Sequence, residues 1–380
     1  MPKASQIRQD FNRQDSLGLY TEVVDDDGLV RDPLVSVVMI TYNHEPYIAQ
    51  AIEGVLSQGT DFPVELIIGD DCSIDRTREI VLDFQRRHPQ MIRVLFSEKN
   101  VGMHKNFRRT VLAARGKYMA FCEGDDWWHR RDKLQLQIAT FRTDNSLVCV
   151  AGEVRLISAQ GQIIGSETQS NGAERPIRVE YQDLIFHRIP HYTCTVVART
   201  DAVRRALLGD TLCMDHSQLM GDQPLWLELS QLGQMVYLRE TLASYRHSPN
   251  SATRQIDPLR VRRFEISFLD INYWALQRYP LPGSAIRTSN AKANLARQII
   301  LKAAWNGDLI VARNQLRRLR SLGAKVGWKE IACMVLAFIP LPRRLLTIAY
   351  RKITPRLERM GLNPRKYFAS QAVFQPCDKE

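Results

Sequence analysis

The chain has 380 residues, 44% of them hydrophobic and 24% charged, with a formal charge of +11 at neutral pH. That length suits a full-sized core with an appendage, and the balance excludes a disordered, collagen-like or fibrous chain. Seven cysteines without a Cys-x-x-Cys pair fit neither a disulfide framework nor a zinc ribbon, so a reducing cytosol is the simplest compartment.

Residues 1–32 are polar, carry the acidic run Asp25-Asp26-Asp27 and lack the apolar core of a signal peptide, which predicts a flexible leader. From Val35 the pattern changes. Val35 to Ile40 is a buried-strand run; behind Pro46, the residues Ile48, Ile52, Val55 and Leu56 then recur at helical spacing. The unit repeats three more times: strand Val64 to Ile68 with helix Thr77 to Arg87, strand Met91 to Phe96 with helix Asn106 to Ala114, and strand Lys117 to Cys122 with a helix through Leu134 to Phe141. Four βα units in succession predict an α/β fold with a mostly parallel sheet, and such sheets bind nucleotides at the carboxyl ends of their strands. After a strand at Leu147 to Gly152, the stretch Ser158 to Gly172 reads as a hairpin or loop. Short strands at Thr195 to Ala198 and Met235 to Tyr237 bracket a helix over Pro224 to Leu232, and from Asp257 the pattern is helical, broken at Pro280-Leu281-Pro282-Gly283. The domain boundary is placed at 255/256.

Carboxylates gather at two strand ends: Gly69-Asp70-Asp71-Cys72-Ser73-Ile74-Asp75 after the second strand, and Glu123-Gly124-Asp125-Asp126-Trp127-Trp128 after the fourth. Asp75, ahead of Thr77 and Glu79, is most simply a helix cap. Asp70 and Asp71 alone serve equally well as turn residues. Three acidic side chains in the second turn repel one another unless a cation or water relieves them, which favours a functional reading. Magnesium or manganese often binds through one or two carboxylates plus substrate phosphates and neutralises a departing diphosphate. Trp127 and Trp128 suit stacking on a sugar or packing in the core equally.

The segments Val35-Ser36-Val37-Val38-Met39-Ile40-Thr41-Tyr42-Asn43, Ile67 to Asp75, Asn100-Val101-Gly102 and Gly116 to Trp127 resemble, in order and spacing, the successive motifs of family 2 glycosyltransferases, over about Pro33 to Ser251. The resemblance implies a GT-A nucleotide-sugar-binding sandwich with an inverting, metal-dependent mechanism. It implies donor-nucleotide contacts from Thr41, Asn43, Asp71 and Asp125, a divalent cation (Mg2+ or Mn2+) at Asp126 and Glu123, and Asp222 as catalytic base. Without the resemblance, Asp222 reads as a cap, because Pro224 opens a helix. Glu123 stands where Asp is commoner in the family, and Cys72 where Gly is usual. The Gln-x-x-Arg-Trp segment of processive synthases is absent, which implies a single addition. His191 and Arg246 lie toward the expected acceptor side and could meet acceptor or phosphate; a packed or solvated role is the plainer reading.

The charge is uneven. From Arg260 onward there are about 23 basic and 7 acidic residues, an excess that seeks nucleic acid, an anionic membrane surface or a phosphorylated substrate. Within this C-terminal α-helical appendage, 256–380, the apolar run Ile331 to Leu341 is too short to span a bilayer. Pro340 and Pro342 interrupt it and Arg343, Arg344, Arg351 and Lys352 follow, so 328–352 fits a segment lying on a membrane surface, with a buried bundle helix as the other reading. The expected partners are a nucleoside-diphosphate sugar, a lipid-linked or oligosaccharide acceptor and an anionic membrane surface, on the cytoplasmic inner face of the cell membrane. No nucleic acid is expected, for lack of a binding module or an aromatic stacking array. The competing function is a non-catalytic nucleotide or nucleic-acid binder.

Overall fold

The computed structural model describes residues 6–8, 18–25, 27–167, 176–209, 211–214, 219–248 and 258–327. The segment 328–352, expected to lie on a membrane surface, and about half of the leader fall outside them. The chain divides into two compact units, Met1–Ile299 and Ile300–Glu380.

Strands β1 (Gln6–Arg8), β2 (Tyr20–Val24), β3 (Val35–Thr41), β4 (Val64–Asp70), β5 (Ile92–Ser97), β6 (Tyr118–Phe121), β7 (Leu147–Ser158), β8 (Ile163–Glu167), β9 (Ile177–Val179), β10 (Val197–Arg199) and β11 (Gln234–His247) form one sheet. Its order is β1-β2-β5-β4-β3-β6-β10-β7-β11-β9, with β8 hairpinned onto β7. The centre, β5-β4-β3-β6, is parallel, as the four βα units require, whereas β2, β8, β9 and β10 pair antiparallel. Helices α1 (Ile48–Leu56), α2 (Thr77–Arg87), α3 (Met103–Ala113) and α4 (Lys133–Thr143) follow the four parallel strands, and α5 (Tyr181–Ile185), α6 (Thr200–Leu208) and α7 (Asp222–Leu232) lie among the later ones. Helix α1 buries Ile48, Ala51, Ile52 and Val55, the i, i+3, i+4, i+7 stripe that a helix needs to cover a sheet. These side chains share one core with Val35, Val37 and Met39 of β3 and with Trp128 and Phe141.

Three features depart from the sequence reading. Part of the leader is structured: β2 pairs with β5, and Glu22 accepts from Arg93 at 2.6 Å. Strands β7 and β11 are far longer than the runs that announced them. Their register shifts between Leu238 and Thr241, opposite Gly152, where an added Cβ would lie 2.5 Å from Leu242 Cδ1 and 3.1 Å from the Glu240 carbonyl oxygen. A bulge breaks the period-2 pattern, so the two strands look short in sequence. The third departure is the boundary. Helix α8 (Pro258–Arg278) belongs to the first unit: Asn272 Nδ2 donates to the Ile185 carbonyl at 3.1 Å, and its Oδ1 accepts from Gln223 at 2.8 Å. The break after Ile299 falls inside α9 (Ala285–Trp305), and α10 (Leu309–Ser321) in the second unit opens on Asp308, which accepts from the Val311 amide at 3.1 Å.

Gly54 sets the approach of α1 to the loop after β6. A Cβ there would sit 2.9 Å from the Trp128 carbonyl oxygen and 3.1 Å from its amide nitrogen, both backbone atoms that cannot swing aside. Gly54→Ala gains up to about 1 kcal/mol of helix propensity but overpacks by about 1–3 kcal/mol, so a net loss of stability is expected in chemical denaturation.

Candidate active site

Strand order reverses between β3 and β6: the chain steps from β3 to β4 to β5 on one side, then crosses to β6 on the other. The crevice at the carboxyl ends of strands flanking such a switch point is where open α/β sheets bind ligands. Here it lies between Thr41, ending β3, and the turn Glu123 to Asp126, following β6. The Gly124 amide donates to the Ile40 carbonyl at 3.0 Å, pinning that turn against the end of β3. A Cβ at Gly124 would meet Thr41 Oγ1 at 2.7 Å and His44 Nδ1 at 2.9 Å. Both of those atoms are buried without a hydrogen-bond partner, so the wall beside Gly124 is polar and unsatisfied.

Long-range pairing delivers the rest. Because β10 runs antiparallel to β6, the turn Thr193–Thr195 that precedes β10 arrives beside Glu123. Strand β11 brings Ser244 into a two-way backbone pairing with Trp127, at 3.0 and 2.7 Å, and the Arg246 amide donates to Asp126 Oδ1 at 2.9 Å. Helix α7 (Asp222–Leu232) opens on Asp222, whose Oδ1 accepts from the Gln223 amide at 2.8 Å. The cap position is Gly221 and makes no side-chain bond, so Asp222 is the first helical residue instead of the cap read from sequence, and the Thr193 hydroxyl lies close to its carboxylate.

The carboxylates act on one another. Burial, then the charges of Asp126, Asp125 and Asp222, hold Glu123 well above the usual carboxylate range. Burial and Asp125 push Asp126 up to about 8. Asp126 is only 1% exposed; its Oδ2 makes no hydrogen bond of ordinary geometry, and the nearest groups acting on the carboxylate are the Cys194 thiol and the Glu123 carboxyl. Burial also raises Asp222, partly offset by the Gln223 amide, the Thr193 hydroxyl and nearby His104. Glu123, Asp125, Asp126 and Asp222 therefore share one site. Among the described residues no group of three or more His, Cys, Asp or Glu side chains is arranged as a complete cation site. The residues present nonetheless fit a hard cation of the magnesium type, which takes one or two carboxylates and completes its shell with phosphates and water.

Asp71 lies on the other wall. Its oxygens accept from the Val101 amide at 2.9 Å and the Gly102 amide at 2.8 Å, while its own amide donates to the Thr41 carbonyl. Each oxygen keeps a second lone pair for a ligand. Gly102 precedes α3, and His104 in its first turn packs against Gly221, next to Asp222. Asp71, the Glu123 to Asp126 turn and Asp222 thus line adjoining loops at one edge of the sheet. Asn43, in the left-handed region at φ 55°, accepts from the Ile74 amide at 2.9 Å and donates its own amide to Ser73 at 2.9 Å. Asp75, one residue ahead of the cap position at Arg76, accepts from the Thr77 amide that opens α2 at 3.0 Å and from the Glu45 amide at 3.0 Å, so the loops after β3 and β4 are stapled together.

Other expectations are corrected. Arg246 does not present a free guanidinium to phosphate: it donates to the carbonyls of Asp125, Ser158 and Ala159 and to Gln50, and lies over the Tyr47 ring. His191 packs beside Trp226 and Tyr237, with Nδ1 on the Ile189 carbonyl at 3.1 Å. Burial lowers its pKa to about 4, so the ring is neutral at pH 7 and cannot attract phosphate by charge. Trp128 is core, with its Nε1 on the Cys194 carbonyl and Lys133 over its ring, and Trp127 packs on α1 at Gly54. Cys122, Cys149 and Cys194 are buried free thiols, as expected of small apolar residues. Sequence reading did not single out His44, His104 or Thr193, whose relevance arises from contacts distant in the chain.

The description "Glycosyl transferase family 2" matches residues 36–205. The protein TuaG of Bacillus subtilis (strain 168), named a teichuronic acid biosynthesis glycosyltransferase, is 30% identical over 220 residues, covering 58% of this chain and 81% of that protein. The chain belongs to glycosyl transferase family 2. An uncharacterized protein of Mycobacterium tuberculosis is 43% identical over 128 residues, covering 33% of this chain and 37% of that one. The Escherichia coli chondroitin synthase is 27% identical over 263 residues, covering 68% of this chain and 35% of its own length. The family 2 chain thus spans little more than a third of those two relatives. Among solved structures, the mannosyltransferase PcManGT from Pyrobaculum calidifontis, in complex with GDP-Man and Mn2+, matches with a TM-score of 0.50 at 15% identity, over 92% of this chain and 89% of that one. That likeness is one of fold, the GT-A arrangement expected from the motifs. Among the described residues of this family 2 member, no helix is long and apolar enough to cross a membrane.

Proposed function

We propose that this chain is an inverting, single-addition glycosyltransferase that moves one sugar from a nucleoside-diphosphate donor to a hydroxyl of a lipid-linked or oligosaccharide acceptor in bacterial surface polysaccharide synthesis. The observation that carries this reading is the meeting of Glu123, Asp126 and Asp222 at the sheet's switch point, with a buried Asp126 oxygen awaiting a partner. The names of the B. subtilis and E. coli relatives support the polysaccharide context, and the neighbour with GDP-Man and Mn2+ exemplifies donor and cation on this fold.

Thr41, Asn43, Asp71 and Asp125 form the donor wall, with Asp71 offering its remaining lone pairs to a ring N–H of the base. Asp126 and Glu123 would hold a divalent cation, which when bound would neutralise charge on the leaving nucleoside diphosphate. Asp222 removes the proton of the acceptor hydroxyl. That oxygen bonds to the anomeric carbon from the face opposite the leaving group, and the bond from that carbon to the diphosphate oxygen breaks. Configuration at the carbon inverts. The Gln223 amide and the first turn of α7 favour the ionised form of Asp222 that a base must have, while burial keeps its proton affinity above that of an exposed carboxylate. A location on the cytoplasmic membrane surface is proposed from the basic excess after Arg260.

A panel of UDP-, GDP- and dTDP-sugars with Mn2+ tests the reading by thermal shift. A donor at 100 times its Kd stabilises by about 2.7 kcal/mol. One family of donors should raise the melting temperature, and chelation of the metal should remove most of the rise. No shift with any donor, together with salt-sensitive retention on nucleic acid, would favour a nucleic-acid binder instead.

A further inference from the structure

We infer that Arg246 is a positioning residue that holds the acidic turn closed before a cation arrives; this rests on the proposed metal-dependent reading. Its backbone amide donates to Asp126 Oδ1 at 2.9 Å, which leaves Oδ2 as the oxygen without a hydrogen bond of ordinary geometry. Its Nε donates to the Asp125 carbonyl at 2.8 Å, fixing the main chain of the turn itself. Nη1 reaches the carbonyls of Ser158 and Ala159 at 3.2 and 3.1 Å, and Nη2 reaches Gln50 Oε1 at 2.5 Å. The guanidinium lies 4.8 Å from the centre of the Tyr47 ring, and Arg246 is 2% exposed. One residue of β11 thus ties together the β6–α4 turn, the β7–β8 turn and α1.

The need for it is one of orientation. Glu123, Asp125 and Asp126 crowd a four-residue turn, and unless its main chain is held from outside, the oxygens that a cation must find are misplaced. A planar fork with five donors can satisfy several acceptors in fixed directions at once, whereas an ammonium group offers a compact charge on a flexible stem. The positioning therefore depends on the fork as well as the charge.

Arg246→Lys separates the two. Hydrogen exchange is read first, on metal-free protein. The amides of Gly124, Asp126 and Trp127, now bonded to Ile40, Glu123 and Ser244, should exchange about tenfold faster in the variant, with β4 and β5 unchanged. The Mn2+ concentration giving half-maximal UDP or GDP binding should rise about tenfold, as is typical when a supporting partner of a metal ligand is lost. UMP and GMP binding in EDTA should stay within about twofold, since no phosphate contact is removed. Unchanged exchange in the turn would overturn the inference. So would loss in the variant of a diphosphate-over-monophosphate preference that the wild type keeps in EDTA, which would make Arg246 a direct phosphate ligand. If the wild-type protein takes up no nucleotide with Mn2+, the functional reading falls, while the exchange measurement still decides the positioning role. Should Arg246→Lys fail to fold, Gln50→Ala removes a single acceptor and should shift exchange the same way by about threefold; no shift in that variant would likewise overturn the inference.

Discussion

Asp222→Asn should lower turnover by about 10²–10⁴-fold while the protein folds and binds donor normally. Asparagine keeps the shape, and its side-chain oxygen can still accept from the Gln223 amide, now at 2.8 Å, so the first turn of α7 survives. What disappears is the ability to take a proton. The loss corresponds to roughly 3–5 kcal/mol of transition-state stabilisation and should fall on kcat, with donor Kd unchanged. A pH profile gives the sign check. Burial raises the Asp222 pKa, and only the ionised form is a base, so the acid limb of wild-type kcat/KM should lie above the range of an exposed carboxylate. The variant's residual rate should lack that limb. Near-normal turnover in a folded Asp222→Asn protein would remove Asp222 from the mechanism and leave it a structural residue of the first turn of α7.

Asp126→Asn should cost at least about 10²-fold in Mn2+ affinity, read as the metal concentration needed for nucleoside-diphosphate binding, because one of the two carboxylates proposed to hold the cation becomes neutral. The metal-free protein should gain stability, with a definite pH dependence. In the wild type, burial and Asp125 raise the Asp126 pKa to about 8, far above its unfolded value. The folded state then binds more protons than the unfolded state between those two values, and stability falls as pH rises toward 8. Asparagine carries no such proton, so the variant's advantage should be small near pH 4 and greatest above pH 8. Equal stability of the two proteins across this range, measured by denaturant titration, would mean that the Asp126 carboxylate is not held under charge strain. In the wild type the same proton competes with the cation, so Mn2+ affinity should weaken as pH falls below about 8.

Much of this architecture was legible in the residues themselves. The runs Val35 to Ile40 and Val64 to Ile68 are buried strands because apolar side chains dominate both faces, and their polar members Ser36 and Glu65 bond to each other. Ile48, Ile52 and Val55 mark a helix because their spacing matches its period. The acidic strand ends at Asp71 and at Glu123 to Asp126 stood out because like charges are rarely crowded without purpose. Other features were hidden for physical reasons. Tyr20 to Val24 has no distinctive periodicity; its strand exists because β5 has a free edge and Arg93 seeks Glu22. The length of β11 was masked by the bulge opposite Gly152.

The order of strands and helices, the two acidic turns and the family itself were determined by the sequence alone, because hydrophobic period and short-range spacing are local properties of the chain. Which oxygen of Asp126 stays free, why Arg246 binds carbonyls instead of phosphate, and why His191 is neutral were decided only by the tertiary structure. Hydrogen-bond satisfaction and desolvation depend on neighbours such as Ser158, Gln50 and Trp226, which are distant in sequence and meet only when the sheet closes.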